Sequence, residues 1–300
     1  MTLRLGFVGT GKWARKLAES FRACGAEIVA YNRGSGRQRS RCPYGCTNGY
    51  EGNLQAGTQV RCPQGCDAGW EYSDPTGFGK FMPWRDQIAD KSIDAIVAVA
   101  PPEVTTEIVL ACGEAGKAIM GTKPLWNVPD TIRAPAHVDF WRLWTFGHRA
   151  TKEAWEKDPS RPLLCNLYGD GPFRDFPGSL DYGPHVMAAL LDIQPGLTVK
   201  SAKKLNGGNG ELFRVEFGPG NIVANFGNAG QGRGDRRLAY GDTEWIEAGE
   251  QSWGMRKDDA LRAMCRAFIA DCHEGYGDTR LMDLSREGMR MLREIREVAK

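Results

Sequence analysis

Residues 3–14 read Leu-Arg-Leu-Gly-Phe-Val-Gly-Thr-Gly-Lys-Trp-Ala. The first six are mostly apolar, as expected of a short buried strand. Gly9-Thr10-Gly11-Lys12-Trp13-Ala14 opens the next segment, after which Leu17, Ala18 and Phe21 recur on one helical face. Strand, glycine turn and helix in this order make a dinucleotide-binding fingerprint with alanine at its third position. Gly9 permits the tight turn. Gly11 lets the backbone approach a pyrophosphate at the helix N-terminus, and Ala14 allows close helix–strand packing. Thr10, Lys12 and Trp13 complete the candidate cofactor-binding turn.

A second strand, Glu27 to Tyr31, ends at Asn32-Arg33-Gly34-Ser35. NAD enzymes of this fold usually place an acidic residue here, against the ribose 2′-hydroxyl. Asn32 followed by Arg33 removes the acid and offers a guanidinium, which suits a 2′-phosphate. Ser35 and Arg37 add donors, so the expected cofactor is NADP(H). The competing reading is a solvated basic loop of Arg33, Arg37, Arg39 and Arg41.

Farther along, Ile93 to Ala100 reads as a strand ended by Pro101-Pro102. A helix over 103–115 follows, capped by Gly116, and Ala118 to Met120 gives another strand before Gly121-Thr122-Lys123-Pro124. Alternating strands and helices of this length predict a parallel, doubly wound sheet. The expected Rossmann domain covers residues 1–126, with Ala100 and Pro101 as further cofactor contacts. Beyond it, residues 127–300 are expected to form a second α/β domain. The pattern predicts a strand over 137–144, a helix over 150–157 and a strand over 163–168. Short strands over 199–246 are then separated by glycine-rich turns. That meander implies an open, mainly antiparallel sheet, whose free face is the expected surface of a homo-oligomer. Two amphipathic helices, 258–272 and 284–298, close the chain.

Within the first domain, residues 38–75 form an insertion. Cys-Pro-Tyr-Gly-Cys-Thr-Asn-Gly-Tyr-Glu at 42–51 is repeated as Cys-Pro-Gln-Gly-Cys-Asp-Ala-Gly-Trp-Glu at 62–71, a period of 20. Cys42, Cys46, Cys62 and Cys66 on paired glycine-rich knuckles suit four thiolates around one structural Zn²⁺ in a closed site. A disulfide or a thiol redox pair competes with this reading. The segment is too short and polar for a core of its own, and structural zinc contributes on the order of 10–16 kcal/mol. The repeat resembles the zinc modules of DnaJ-type chaperones, with one extra residue in each cysteine pair. Its arginines and aromatics are read as solvated or knuckle-packing groups; contact with nucleic acid or a protein partner is the alternative.

The formal net charge of +2 gives no general attraction to nucleic acid or membrane. With no signal peptide or spanning segment recognised, a cytoplasmic location is expected.

The order of motifs resembles the glucose–fructose oxidoreductase and inositol dehydrogenase (Gfo/Idh/MocA) family. The matching pieces are Gly9-Thr10-Gly11, Asp94-Ala95-Ile96-Val97 running into Pro101-Pro102, Ala115-Gly116-Lys117 before Thr122-Lys123-Pro124, and Asp181-Tyr182-Gly183-Pro184-His185. The resemblance implies hydride transfer between a nicotinamide and a carbonyl, alcohol or imine carbon. It places the catalytic lysine at Lys123, the catalytic histidine at His185 and the signature aspartate at Asp181. Chemically, His185 is expected to exchange a proton near neutrality, Lys123 to stabilise an oxyanion, Asp181 to orient its neighbours, and Tyr182 to stand as a reserve donor. Thr122 and Ala188 replace residues that are acidic in the family. The expected substrate is a small polar molecule such as a sugar, cyclitol or ketoacid. Alternatives are imine reduction and a catalytically silent NADP-binding sensor that docks a partner through its zinc module.

Overall fold

The structure, a computed structural model, describes residues 2–32, 78–128, 132, 134–169, 178–207, 210–228, 234–248, 250–275 and 279–299. Arg33, Ser35, Arg37 and the cysteines Cys42, Cys46, Cys62 and Cys66 lie outside the described residues.

The opening strand β1 (Arg4–Val8) has Leu5, Phe7 and Val8 fully buried. Helix α1 (Lys12–Ala23) follows, then β2 (Glu27–Asn32), β3 (Lys80–Phe81), α2 (Trp84–Ala89), β4 (Ala95–Ala98), α3 (Pro102–Ala115), β5 (Ala118–Gly121) and β6 (Ala136–Val138). The six strands form one sheet in the order β3-β2-β1-β4-β5-β6, every pair parallel. Parallel strands need helical crossovers, and burial on both faces explains why β4 and β5 are buried at every residue. As expected, Gly116 ends α3 in the left-handed region, at φ 67. Strand β6 carries the first sheet to Val138, past residue 126, where the sequence placed the end of the first domain.

A 3₁₀ turn (Trp141–Trp144) replaces the rest of the strand expected over 137–144. Trp141 and Leu143 are buried and Trp144 half-buried, a pattern that a tight turn produces as readily as a strand does. Next come α4 (Phe146–Lys157), β7 (Leu163–Gly169), α5 (Gly178–Ile193), β8 (Thr198–Gly207), β9 (Gly210–Gly218), β10 (Ile222–Asn228), β11 (Asp235–Tyr240) and β12 (Thr243–Ile246). The second sheet runs β12-β11-β7-β10-β9-β8 and is mixed rather than antiparallel throughout. At its centre β7 pairs parallel with β10, because β7 enters the sheet before α5 and the meander then adds strands on both sides of it.

A small hairpin, β13 (Gln251–Ser252) and β14 (Met255–Arg256), leads into α6 (Lys257–Glu274), and α7 (Arg280–Val298) ends the chain. These two helices part company. Helix α7 lies on α5 beside the second sheet, with Leu292 near Gly183. Helix α6 returns to the first, where Phe268 meets Phe21 of α1 edge to face at 5.9 Å. Ala260, Leu261, Met264 and Cys265 join Phe7, Leu17 and Phe21 in that core. Each fully buried large side chain there contributes about 1.5–3 kcal/mol. Among the described residues, no helix is long and apolar enough to cross a membrane.

Candidate active site

The glycine turn has the geometry that its residues predict. Gly9 sits at φ +107, and a Cβ there would lie 1.9 Å from the Val99 carbonyl oxygen. Its N–H donates to the Asn32 carbonyl at 2.8 Å, tying the turn to the end of β2. Gly11 is the N-cap of α1, and a Cβ added to it would meet nothing within 4 Å. Among the described residues, no side chain caps the first amides of α1. A glycine whose missing side chain leaves open space, before uncapped helix amides, fits an approaching pyrophosphate. Thr10 is half-buried and Lys12 exposed beside it. Ala100 and Pro101 close the neighbouring β4 end, where Ala100 exchanges hydrogen bonds with the Thr105 hydroxyl at 3.2 and 2.9 Å.

Two strands over, Thr122 bonds the last carbonyl of β4 through its N–H at 3.0 Å and its hydroxyl at 3.3 Å. That anchoring presents Lys123 beyond the C-terminal end of β5, the edge at which open parallel sheets bind ligands. The Lys123 ammonium donates to the Asp181 carboxylate and, at 2.6 Å, to the Asp181 carbonyl oxygen. Asp181 lies in the first turn of α5, so this ion pair joins the two sheets' units. One helical turn on, His185 is 5% exposed and sits edge-on to Phe140 at 6.0 Å. Its Nδ1 is buried with no hydrogen-bond partner among the described residues.

Burial, reinforced by the positive charges of Lys123 and Arg142, holds the His185 pKa well below its ordinary value. The ring is therefore neutral at physiological pH, a proton acceptor. The Tyr182 hydroxyl accepts from Arg236 at 3.0 Å, and burial raises its pKa, so it is a weaker acid than a free phenol. Ala188, where a carboxylate was expected by resemblance, is completely buried, and an unpaired acid there would be costly.

The site contains groups the sequence reading missed. Asp139, just beyond β6, is 1% exposed and accepts the Trp13 indole N–H at 2.5 Å. Burial raises its pKa to about 6 against the opposing pull of Trp13, Lys123 and Arg142. Arg142, on the 3₁₀ turn, binds Glu247 through two nitrogens at 3.2 and 2.8 Å. Glu247 also receives Arg236 at 2.9 Å and Lys257 at 3.0 Å. A signal was available: Asp139 and Arg142 are the two charges inside the apolar run from Ala136 to Trp144.

No family model and no curated protein matches the chain. Solved structures do. The myo-inositol dehydrogenase of Corynebacterium glutamicum aligns at TM-score 0.71 and 15% identity, over 100% of this chain and 97% of that one. A scyllo-inositol dehydrogenase of Lactobacillus casei, with bound NAD(H) and scyllo-inositol, aligns at 0.65 and 14%, over 99% and 97%. A probable dehydrogenase of Thermotoga maritima aligns at 0.65 and 16%, over 99% and 100%. The chain has the inositol dehydrogenase fold. Within that fold the glycine turn and the Lys123–Asp181 pair lie at the strand ends of the parallel sheet. Among the described residues, no cluster of three or more His, Cys, Asp or Glu is arranged to hold a metal ion.

Proposed function

We propose that the chain is an oxidoreductase that transfers hydride between NADP(H) and a carbonyl or alcohol carbon of a small polar substrate, a sugar, cyclitol or ketoacid. The observation that carries this reading is the Lys123–Asp181 ion pair between the two units, with neutral His185 one turn away. When bound, the nicotinamide supplies or accepts the hydride. The protein's own groups manage the charge and the proton. Lys123, oriented by Asp181, stabilises negative charge developing on the substrate oxygen. His185 takes the hydroxyl proton in the oxidation direction. In that role the resulting imidazolium faces Lys123 and Arg142, which favour passing the proton onward.

Two of the similar solved structures, inositol dehydrogenases of Lactobacillus casei, hold NAD(H) with scyllo-inositol or myo-inositol, and a cyclitol is the first substrate class to try. Preference for NADP(H) rests on Asn32-Arg33 at the end of β2, where an acid would repel a 2′-phosphate. The four cysteines of the 42–66 repeat are proposed to hold one structural Zn²⁺, and the second sheet's open face to support a homo-oligomer.

Turnover is tested with NADPH and a panel of polyols, aldoses and ketoacids. Lys123→Ala and His185→Ala are each expected to lose activity by at least about 100-fold while binding NADPH as tightly as wild type. Wild-type protein that binds NADPH but turns over no panel member would instead favour the silent sensor.

A further inference from the structure

The Trp13–Asp139 bond lies outside the chemistry just described, yet it joins the two parts that this chemistry must bring into register. Trp13 is the second residue of α1, so its backbone amide is one of the uncapped amides facing the candidate pyrophosphate site. Asp139 stands beyond the last strand of the same sheet, with β4 and β5 lying between β1 and β6. Its N–H donates to the Gly121 carbonyl at 2.9 Å, which fixes it beside the β5 end two residues before Lys123. The indole N–H reaches its Oδ2 at 2.5 Å. Its other oxygen, Oδ1, is buried and has no partner among the described residues.

Packing alone gives no reason for a carboxylate here, because an apolar or amide side chain fills such a niche without an unpartnered charged oxygen. We infer that Asp139 is a positioning residue: by holding the Trp13 indole it fixes the first turn of the dinucleotide-binding helix in register with the strand ends that carry Lys123. The inference rests on the cofactor reading above. The surroundings agree. Lys123 faces Asp139 from the β5 end, Arg142 from the 3₁₀ turn and the neutral Cys265 thiol from α6; the donors to its side chain are the Trp13 indole and the Trp141 backbone N–H, and of these only the indole comes from the dinucleotide-binding helix. The latch therefore joins the first turn of α1 to a residue held against the β5 end. Removing either partner should cost the same property, and removing both should cost no more.

A double-mutant cycle on NADP⁺ and NAD⁺ binding, measured by titration calorimetry on the full chain at pH 7.5, tests this. Trp13→Phe keeps the ring that packs and deletes only the donor. Asp139→Ala deletes the acceptor. Each is expected to weaken dinucleotide binding about tenfold, and the pair together about tenfold as well. Asp139→Asn keeps an oxygen for the indole and should bind within about threefold of wild type, whereas Asp139→Leu, which fills the niche without an acceptor, should bind as weakly as Asp139→Ala, an outcome that a packing role does not predict. Singles that multiply to about a hundredfold, singles without effect, or Asp139→Asn as weak as Asp139→Ala would each overturn the inference. Failure of the wild type to bind either dinucleotide would overturn the cofactor reading itself, a result distinct from an additive cycle.

Discussion

Two carboxylates in this protein share a neighbour and a degree of burial, yet they titrate in opposite directions. Glu247 and Asp139 both lie within reach of Arg142, with side chains almost sealed from solvent. Burial pushes both upward. For Glu247 that push is overcome by direct contact with Arg142 and Lys257, and its pKa falls to about 2. Asp139 touches only neutral donors, Trp13 and the Trp141 backbone, and its pKa rises to about 6. Proximity to a cation is thus not enough; contact decides. The Glu247 knot is a permanent brace among the 3₁₀ turn, β11 and α6. Asp139 is a charge that the fold tolerates near Lys123.

The same chemical change should therefore act oppositely at the two sites. Glu247→Gln removes the anion from three cations, and breaking a buried cluster of this kind costs about 3–5 kcal/mol. Denaturant unfolding at pH 7 should show a loss of that size, and an unchanged midpoint would contradict the brace. Asp139→Asn should stabilise. A carboxyl whose folded pKa is raised from 3.8 to about 6 contributes stability that is complete below about pH 4 and lost as pH rises through 6. Relative to wild type, Asp139→Asn should gain on the order of 3 kcal/mol at pH 8 and nearly nothing at pH 4. A gain independent of pH would remove Asp139 as its source. The smallest effect is expected at the rim of the knot. Tyr182→Phe deletes the hydroxyl that accepts from Arg236, and should cost about 1 kcal/mol in the same unfolding experiment.

The contrast also explains what could be read from the chain alone. Gly9, Gly11 and Ala14 were legible because a turn and a helix start are local, and each demands a residue type at fixed spacing. The family resemblance pointed to Asp181 and His185, which α5 places one helical turn apart. The Glu247 knot was not legible, since Arg142 and Glu247 stand 105 residues apart and a lone charge in a sequence does not name its partner. The return of α6 to α1 was hidden for the same reason: an amphipathic stripe says that a face is buried, not against what. Strand β7 was recognised, but its parallel pairing with β10 depends on the order in which strands enter the sheet, which the alternation of side chains does not encode. The downward pull on the His185 pKa was not legible, because it depends on burial and on two cations brought from elsewhere.

The affinity of the glycine turn separates the fold from its use. Gly11→Ala meets open space and should leave the thermal midpoint unchanged while weakening dinucleotide binding by at least about tenfold. Gly9→Ala collides with Val99 and should lower the midpoint as well.

The central claim is hydride transfer at Lys123 and His185, and isotope transfer tests it most directly. NADPH carrying deuterium at both nicotinamide C4 positions is incubated with wild type and a carbonyl substrate, and the product is weighed by mass spectrometry. Wild type is predicted to deliver one deuterium to the former carbonyl carbon, while Lys123→Ala and His185→Ala bind the cofactor and deliver none. Deuterium delivered equally well by the Lys123→Ala protein would contradict the account.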